Sequence, residues 1–328
     1  MILNEKKYLQ KIFQISNENE FNKYALEAFN YQFKNNIVYK QYINLMGFNY
    51  NLIKHYIDIP FMPIELFKTK KIIAGLKKPE LFFQSSGTTG TIRSKHYLSD
   101  LNVYKKSIIN NFNYFFGDPE QYVFLCLVPD FKKNPHSSLA FMCNELIAKS
   151  QSTDSGFYIK KKSILSKKIN YLEKNKKKFI LFGLGFEILE FGLEYNVSLN
   201  FGTIIETGGV KRGSQIIIRE DLHNRLKKLF KTKNIFSEYG MAELLSQSYF
   251  INKKKFQTPP WKKVLIRDKT NPLKIINDKR GCVNIIDLAN IYSCCFIATN
   301  DSGSIHKDGF DILGRSQNSS IRGCNLMV

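Results

Sequence analysis

Three short polar segments, far apart in the chain, carry residue types that could bind a phosphate-containing ligand. The first is the loop Ser85-Ser86-Gly87-Thr88-Thr89-Gly90, which follows an apolar stretch and precedes Arg93 and Lys95. Glycines let the backbone approach a ligand closely, and successive N–H groups and hydroxyls can converge on an anion. The loop is a candidate phosphate site, although a turn without a ligand fits the residues equally well. It is not a Walker loop, because no Gly-Lys-Ser/Thr ends it.

The second segment, Phe236-Ser237-Glu238-Tyr239-Gly240-Met241-Ala242-Glu243, reads as a strand that turns into a helix over 242–249. Tyr239 at the strand end could lie against a nucleobase, and Glu243 in the first helical turn could hold Mg²⁺ through an oxygen ligand. Taken alone, the segment fits a core tyrosine and a carboxylate that complements the helix dipole even better.

The third segment is Ala298-Thr299-Asn300-Asp301-Ser302-Gly303, followed by Leu313-Gly314-Arg315. A carboxylate such as that of Asp301 can accept hydrogen bonds from both hydroxyls of a ribose, and Arg315 can reach ribose or phosphate oxygens. Asp-Ser-Gly is also an ordinary turn. Two histidines are further candidates: His96 could touch a substrate or water, and His136 could border a substrate pocket, although a histidine in such a turn is more often exposed.

The elements that must position these residues alternate along the chain. Apolar runs of strand length occur at 121–130, 178–187 and 202–209, and amphipathic stretches at 138–148 and 219–230 lie between or after them. Alternating buried strands and helices predict a mostly parallel α/β sheet. We expect a helical segment at 1–77, an α/β nucleotide-binding core at 78–258, a small β subdomain at 259–316 and a hinge-like tail at 317–328. Trp261 should anchor the packing between subdomains.

Composition excludes several classes of protein. The 328 residues are 43% hydrophobic and 23% charged, which indicates a globular chain. The six cysteines are too few for a disulfide scaffold, and the N-terminus has charged residues before any apolar run, so we expect a cytoplasmic protein without a transmembrane segment.

The net charge is +21, but only eight of the 49 cations are arginine. Arginine is the residue that recognises bases and phosphates bidentately, so we expect no nucleic-acid partner.

The order and spacing of the three segments resemble the adenylate-forming superfamily of acyl-CoA synthetases and luciferases. A closer resemblance is to the acyl-protein synthetase family of bacterial bioluminescence operons. It is carried by the strings IPFMPIELFK, SSGTTG, ETGGVKRGS, SEYGMAELLSQSY, PPWKKVLIRD, DLANIYSCCFIATNDSG and LGR with IRGCNL. The resemblance implies the large N-terminal domain of that superfamily, in which ATP and a fatty or other carboxylic acid form an acyl-adenylate. The acyl group then moves to a thiol of the protein itself or of a partner, such as a fatty-acyl reductase or an acyl carrier.

The resemblance also implies a role for each matching residue. Ser85, Ser86, Gly87, Thr88, Thr89 and Gly90 would hold the β- and γ-phosphates of ATP. Gly208 and Gly209 would line the adenine slot, with Tyr239 and Gly240 beside the base. Glu243 would coordinate Mg²⁺, Asp301 and Arg315 would hold the ribose, and Cys324 would be the acylated cysteine. An inert thiol is an equally good interpretation of Cys324.

Three departures from the superfamily pattern bear on the second step. Ala242 stands where a threonine is common, and Gln317 and Asn318 replace acidic hinge residues. The sequence also stops soon after Arg315, so we expect no mobile C-terminal domain. These departures leave two alternatives open: a phenylacetate-type CoA ligase, and a non-catalytic nucleotide-binding or basic binding protein on the same fold.

Overall fold

Helices dominate the first third of the chain and strands the last third, in a computed structural model that describes residues 3–86, 92–208, 210–212, 215–251, 255–276 and 279–315. Within these residues the α-helices are α1 (Glu5–Lys11), α2 (Glu18–Asn35), α3 (Ile37–Leu45), α4 (Leu66–Thr69), α5 (Leu101–Phe116), α6 (Ser138–Ser150), α7 (Lys162–Lys174), α8 (Gly185–Glu194) and α9 (Arg219–Phe230). The strands are β1 (Met62–Pro63), β2 (Leu81–Gln84), β3 (Lys95–Leu98), β4 (Val123–Leu127), β5 (Gly156–Phe157), β6 (Phe179–Leu184), β7 (Gly202–Thr207), β8 (Val210–Arg212), β9 (Gln215–Ile217), β10 (Ile235–Tyr239), β11 (Ser248–Ile251), β12 (Lys255–Gln257), β13 (Lys262–Arg267), β14 (Ile275–Ile276), β15 (Gly281–Asp287), β16 (Phe296–His306) and β17 (Gly309–Arg315).

Five parallel strands form the centre of the fold, in the order β5-β4-β6-β7-β10. The apolar runs of the sequence become these strands because both of their faces are buried. In β4, Val123, Leu125 and Leu127 pack against α7, α8 and α9, whereas Phe124 and Cys126 pack on the opposite face against α5 and α6. The sheet is therefore covered by helices on both faces, as parallel sheets require.

An antiparallel region continues the same sheet beyond β10, in the order β11-β12-β17-β16-β15-β13-β14. Strand β12 joins β17 through the pair Phe256 and Phe310. Strand β1 pairs with β16 in parallel, so the N-terminal segment also contributes to the sheet. The fold class is confirmed as α/β with a parallel sheet at its core, and the boundaries and roles expected for the domains remain a prediction.

The N-terminal helices cover the antiparallel region rather than the parallel core. Gln32 of α2 is fully buried, and its amide nitrogen donates hydrogen bonds to the carbonyls of Asn290 and Ile291, at 3.0 and 2.9 Å. Trp261 is buried as expected, and its ring contacts Phe13 edge-to-face at 5.0 Å. In the described part of the chain, no helix is both long and apolar enough to cross a membrane.

The helix predicted over 242–249 is wrong. The chain makes a tight turn after Gly240 and enters β11 at Ser248. The cause is Asp287 of β15, a fully buried carboxylate that accepts the N–H groups of Leu245 and Ser246, both at 2.8 Å. Because a side chain from another strand takes these donors, they are not available to the hydrogen bonds of a helix.

Candidate active site

A cavity of about 480 Å³ opens at the carboxyl ends of the parallel strands. Leu184, Thr207 and Glu238 line it from the ends of β6, β7 and β10. The edge formed by the carboxyl ends of the strands is where parallel α/β sheets place their ligands. The cavity also receives seven of the predicted site residues: Ser85, Ser86, Gly208, Gly240, Glu243, Asp301 and Arg315.

The predicted phosphate loop leaves the end of a two-stranded hairpin. Strands β2 and β3 pair antiparallel, and the backbone N–H of Ser85 continues the pairing by donating to the carbonyl of Ser94 at 3.3 Å. The hydroxyl of Ser85 in turn accepts from the N–H of Ser94 at 3.2 Å. Ser85 and Ser86 reach the cavity wall together with Arg93. The predicted residues Gly87, Thr88, Thr89 and Gly90 lie outside the described residues, as do Gly209 and Cys324.

Glu243 presents a buried carboxylate at the cavity, with 2% of the residue exposed. The hydroxyl of Ser94 donates a short hydrogen bond to its Oε1. Burial raises the pKa of Glu243 above its usual value, while the Ser94 bond and the nearby Arg315 oppose that rise. Asp301 is close enough to raise it further. The charges of Glu243, Asp301 and Arg315 therefore influence one another at this wall.

Asp301 and Arg315 face each other across the β16–β17 pair. The Nε of Arg315 lies 3.2 Å from Oδ1 of Asp301, and the Tyr239 hydroxyl donates to Oδ2 at 2.7 Å. Tyr239 itself is 3% exposed, and its ring packs against Phe256 and Phe310. In this structure Tyr239 therefore orients Asp301 from behind the wall, and the expected contact with a base stays a prediction.

The two predicted glycines differ in what the backbone requires. Gly208 has a φ of +80°, a left-handed conformation that side chains disfavour. At Gly240, the place that a Cβ would take lies 2.3 Å from Oε1 of Glu238, so a larger residue would displace the end of that side chain. Gly208 therefore allows a turn at the end of β7, whereas Gly240 leaves room for the carboxyl group of Glu238.

The two histidines take different places. His136 lines the cavity, and its ring stacks on Phe82 with centroids 4.1 Å apart. Its Nδ1 donates to the carbonyl of Phe82 at 3.0 Å. His96 is buried, with Nδ1 at 2.8 Å from the Ala242 carbonyl and Nε2 at 2.9 Å from Oδ1 of Asn290. Burial lowers the pKa of His96 to about 4, while its contacts with Ala242 and Asn290 oppose that fall, and the ring holds the turn before Glu243 in place.

Sequence reasoning missed a group of polar residues at the cavity wall. Glu238 lines the cavity, and burial raises its pKa to about 7, although Lys262 and the hydrogen bond from Thr207 work in the opposite direction. Gln247 and Tyr104 line the same wall. The sequence did contain one indication that Glu238 belongs to a site: it is a charged residue in a predicted strand that is otherwise mostly apolar.

Behind this wall lies a buried ion network that fixes the turn at 241–247. Lys262 is 1% exposed and donates to the carbonyl of Ser246 at 2.7 Å. Burial lowers the pKa of Lys262 to about 8, and the carboxylates of Asp287 and Glu238 counteract the fall. The indole nitrogen of Trp261 donates to the Ser246 hydroxyl at 2.9 Å. The turn that carries Glu243 is thus held from the antiparallel side of the sheet.

The chain matches the family described as "Acyl-protein synthetase, LuxE" over residues 10–328. A curated relative from Vibrio harveyi, the long-chain-fatty-acid–luciferin-component ligase, is 23% identical in an alignment of 326 positions that covers 92% of this chain and 85% of the relative.

Solved structures share the fold at lower identity. A 2-hydroxyisobutyryl-CoA ligase in complex with its acyl-adenylate and CoA has a TM-score of 0.68 at 12% identity, over 94% of this chain and 70% of that one. ATP-bound MatB from Rhodopseudomonas palustris has a TM-score of 0.54 at 15% identity, over 75% of this chain. This chain spans about half the length of the MatB structure, 50%. The family match covers nearly the whole sequence and agrees with the resemblance found in its motifs: the chain belongs to the LuxE acyl-protein synthetase family.

Proposed function

We propose that this protein uses ATP to activate a carboxylic acid as an acyl-adenylate and then passes the acyl group to a thiol. The observation that carries the proposal is the meeting of Ser85, Glu243, Asp301 and Arg315 in one cavity, although they are separated by up to 230 positions in the sequence. Family membership and the shared fold support the same reaction class.

The adenylation step forms a bond between a carboxylate oxygen and the α-phosphorus of ATP and breaks the bond from that phosphorus to the bridging oxygen, releasing pyrophosphate. The protein contributes position and charge. Arg93 and Arg315 line the cavity and are permanently cationic, so they attract the phosphates. Asp301, held by Tyr239 and Arg315, would accept hydrogen bonds from the ribose hydroxyls.

Mg²⁺ fits this site as an ion bound mainly by the nucleotide. Within the described residues, no group of three or more His, Cys, Asp or Glu side chains could hold a metal by itself. Glu243 nevertheless offers a buried carboxylate at the cavity, and Mg²⁺ commonly uses one or two carboxylates together with substrate phosphates. When bound, the ion would neutralise charge on the phosphates. We expect Glu243→Gln to raise the Mg²⁺ concentration needed for half-maximal activity.

For the second step we propose Cys324 as the acceptor and a reductase or acyl carrier as the protein that next takes the acyl group. Thioester formation joins the cysteine sulfur to the acyl carbon and releases AMP, with the thiol proton lost. Arg322 stands two positions before Cys324, and a nearby cation lowers a thiol pKa and increases the thiolate fraction. The assignment is tested separately from the first step.

The decisive experiment is acid-dependent exchange of labelled pyrophosphate into ATP. Exchange that depends on an added carboxylic acid supports adenylation, and ATP binding without exchange across a panel of acids would favour a non-catalytic protein. Cys324→Ser should keep the exchange and abolish covalent labelling by a radioactive acyl donor. Labelling that survives in this variant would refute Cys324 as the acceptor, and consumption of the adenylate only when CoA is present would favour a CoA ligase.

A further inference from the structure

One wall of the cavity is made of buried polar side chains to which the reaction described above gives no role. Tyr104 of α5, Glu238 of β10 and Gln247 line it, and they are 1%, 9% and 5% exposed. Leu139 and Met142 of α6 complete this side of the cavity. A cavity built for a plain hydrocarbon chain has no use for such groups, because burying polar atoms against methylenes costs free energy.

The two oxygens of the Glu238 carboxyl group differ: Oε2 accepts a hydrogen bond, and Oε1 points toward Gly240. Thr207 donates a short hydrogen bond to Oε2. Oε1 lies beside the Cα of Gly240, and Cγ of Gln247 lies 3.6 Å from the point where a Gly240 Cβ would stand. The carboxyl group and the Gln247 side chain therefore meet at one place. Among the hydrogen bonds formed by the described residues, none ends at Oε1.

The orientation of Gln247 follows from its neighbours. The side-chain nitrogen of Asn111 donates to Oε1 of Gln247 at 3.1 Å, so the amide nitrogen of Gln247 points the other way. Tyr104 is a neighbour of Gln247, and its hydroxyl donates to the carbonyl of Ser138 at 3.2 Å. An amide nitrogen carries two protons, so Gln247 can donate a further hydrogen bond at this wall.

This wall borders the part of the cavity that would hold the carboxylic acid, not the part near Asp301 that would hold the nucleotide. Glu238 and Tyr239 are successive residues of β10, and successive side chains of a strand point to opposite faces of the sheet. Tyr239 reaches Asp301, the residue proposed to bind ribose. Glu238 points to the other face, toward α5 and α6. A group bound there is separated from the ribose site by β10 itself.

We propose that Glu238 and Gln247 bind a hydroxyl group on the acyl chain, so that the acid this enzyme activates is a hydroxy-substituted carboxylic acid. The inference rests on the proposed acid activation and deepens it by naming the substrate class. A hydroxyl can donate to Oε1 of Glu238 and accept from the amide nitrogen of Gln247 at the same time, which satisfies both groups. An unsubstituted chain offers no partner to Oε1 of Glu238 or to the amide nitrogen of Gln247 once water is displaced.

Charge favours a hydroxyl over an ammonium group at this position. The charged residues that act on Glu238 are Lys262, which favours its ionised form, and Glu206, which opposes it; burial is the largest influence and raises its pKa to about 7. A substrate ammonium group would need the ionised carboxylate as its partner, and burial disfavours that form. A neutral hydroxyl can bond either form.

The test is pyrophosphate exchange with acids that differ only in one substituent. The panel contains butanoate with its 2-hydroxy, 3-hydroxy and 3-amino derivatives, and tetradecanoate with its 3-hydroxy derivative. We expect the hydroxy acid of one chain length to be used at least about tenfold better in kcat/KM than its unsubstituted partner. Glu238→Leu should reduce that ratio to about two or less while leaving the KM for ATP unchanged.

Two variants separate loss of recognition from loss of folding. Glu238→Gln keeps an oxygen acceptor of nearly the same shape, so it should retain a preference for the hydroxy acid. Met142→Leu changes an apolar residue of the same wall at nearly constant volume and should leave the ratio intact.

Several outcomes would overturn the inference. Equal kcat/KM within every pair, or a preference for the amino acid, would show that this wall does not read a hydroxyl. A rise in the KM for ATP in Glu238→Leu, with acid discrimination unchanged, would place Glu238 on the nucleotide side. Exchange without hydroxyl preference refutes this inference alone, whereas no exchange with any acid of a wider panel refutes the proposed function together with it.

Discussion

Replacing Glu238 with glutamine should change how the stability of the protein depends on pH. Only 9% of the residue is exposed, and burial raises the pKa of its carboxyl group from 4.5 to about 7. Glutamine keeps the size of the side chain and an oxygen for the Thr207 hydroxyl, but it does not titrate. The variant therefore removes one ionisation and little else.

The sign and size of the effect follow from the pKa difference. Because the folded state holds the proton more tightly than the unfolded state, the wild type loses stability as the pH rises from about 4.5 through 7. The loss amounts to roughly 2–3 kcal/mol between pH 5 and pH 8. We expect the free energy of unfolding of Glu238→Gln, relative to wild type, to increase by that amount over the same range.

The difference must be measured against wild type because His96 works in the opposite direction. Its pKa falls from 6.5 to about 4 on burial, so His96 costs stability as the pH drops through that range. Urea unfolding at several pH values, with both proteins in parallel, cancels this contribution. Glu220→Gln, at an exposed position of α9, is the matched control. A stability difference between Glu238→Gln and wild type that does not vary with pH would refute the buried, proton-binding environment assigned to Glu238.

Two further substitutions test the supports of the cavity, and a third tests the packing of the parallel core. Tyr239→Phe removes a hydrogen bond of 2.7 Å to Asp301 and should raise the KM for ATP about tenfold in the exchange assay with little change in melting temperature; an unchanged KM would show that this bond does not serve the nucleotide. Asp287→Ala leaves a buried ion network without its carboxylate and should lower the free energy of unfolding by about 3–5 kcal/mol, and a loss below about 1 kcal/mol would contradict the network's role. Gly202→Ala places a Cβ 2.4 Å from the ring of Phe179 on the neighbouring strand and should lower the free energy of unfolding by about 1–3 kcal/mol. Gly156→Ala is the control, because its Cβ would meet the nearest side-chain atom at 3.6 Å. Equal losses of stability in the two variants would contradict the packing argument.

The parallel core could be predicted from the sequence because its signals are local. Apolar runs at 121–130, 178–187 and 202–209 became β4, β6 and β7, and the amphipathic stretch at 219–230 became α9 with the same bounds. In each case the apolar residues that form the pattern are the ones that become buried, and they all lie in one continuous segment. The helix expected after Gly240 failed because its donors are taken by Asp287, more than 40 positions later in the chain. No property of 242–249 alone reveals that competitor.

The same contrast holds for the site. Ser85, Glu243, Asp301 and Arg315 were recognised from motifs, and the fold brings them to one cavity. The sequence analysis did not identify Glu238 as a cavity residue, because this depends on which face of β10 packs against α5 and α6. Strand alternation gives two faces, but only the packed structure shows which face borders the cavity.

The turn at 241–247 shows that the two halves of the sheet serve one site. It contributes both Glu243 and Gln247 to the cavity. Its backbone donors bind Asp287 of β15, and its Ser246 carbonyl accepts from Lys262 of β13. The antiparallel region is therefore a support for cavity residues that the sequence places next to the parallel core. Asp287 is buried and accepts the N–H groups of Leu245 and Ser246, so replacing this residue, more than 40 positions away in the sequence, should disturb both Glu243 and the wall that contains Glu238 and Gln247.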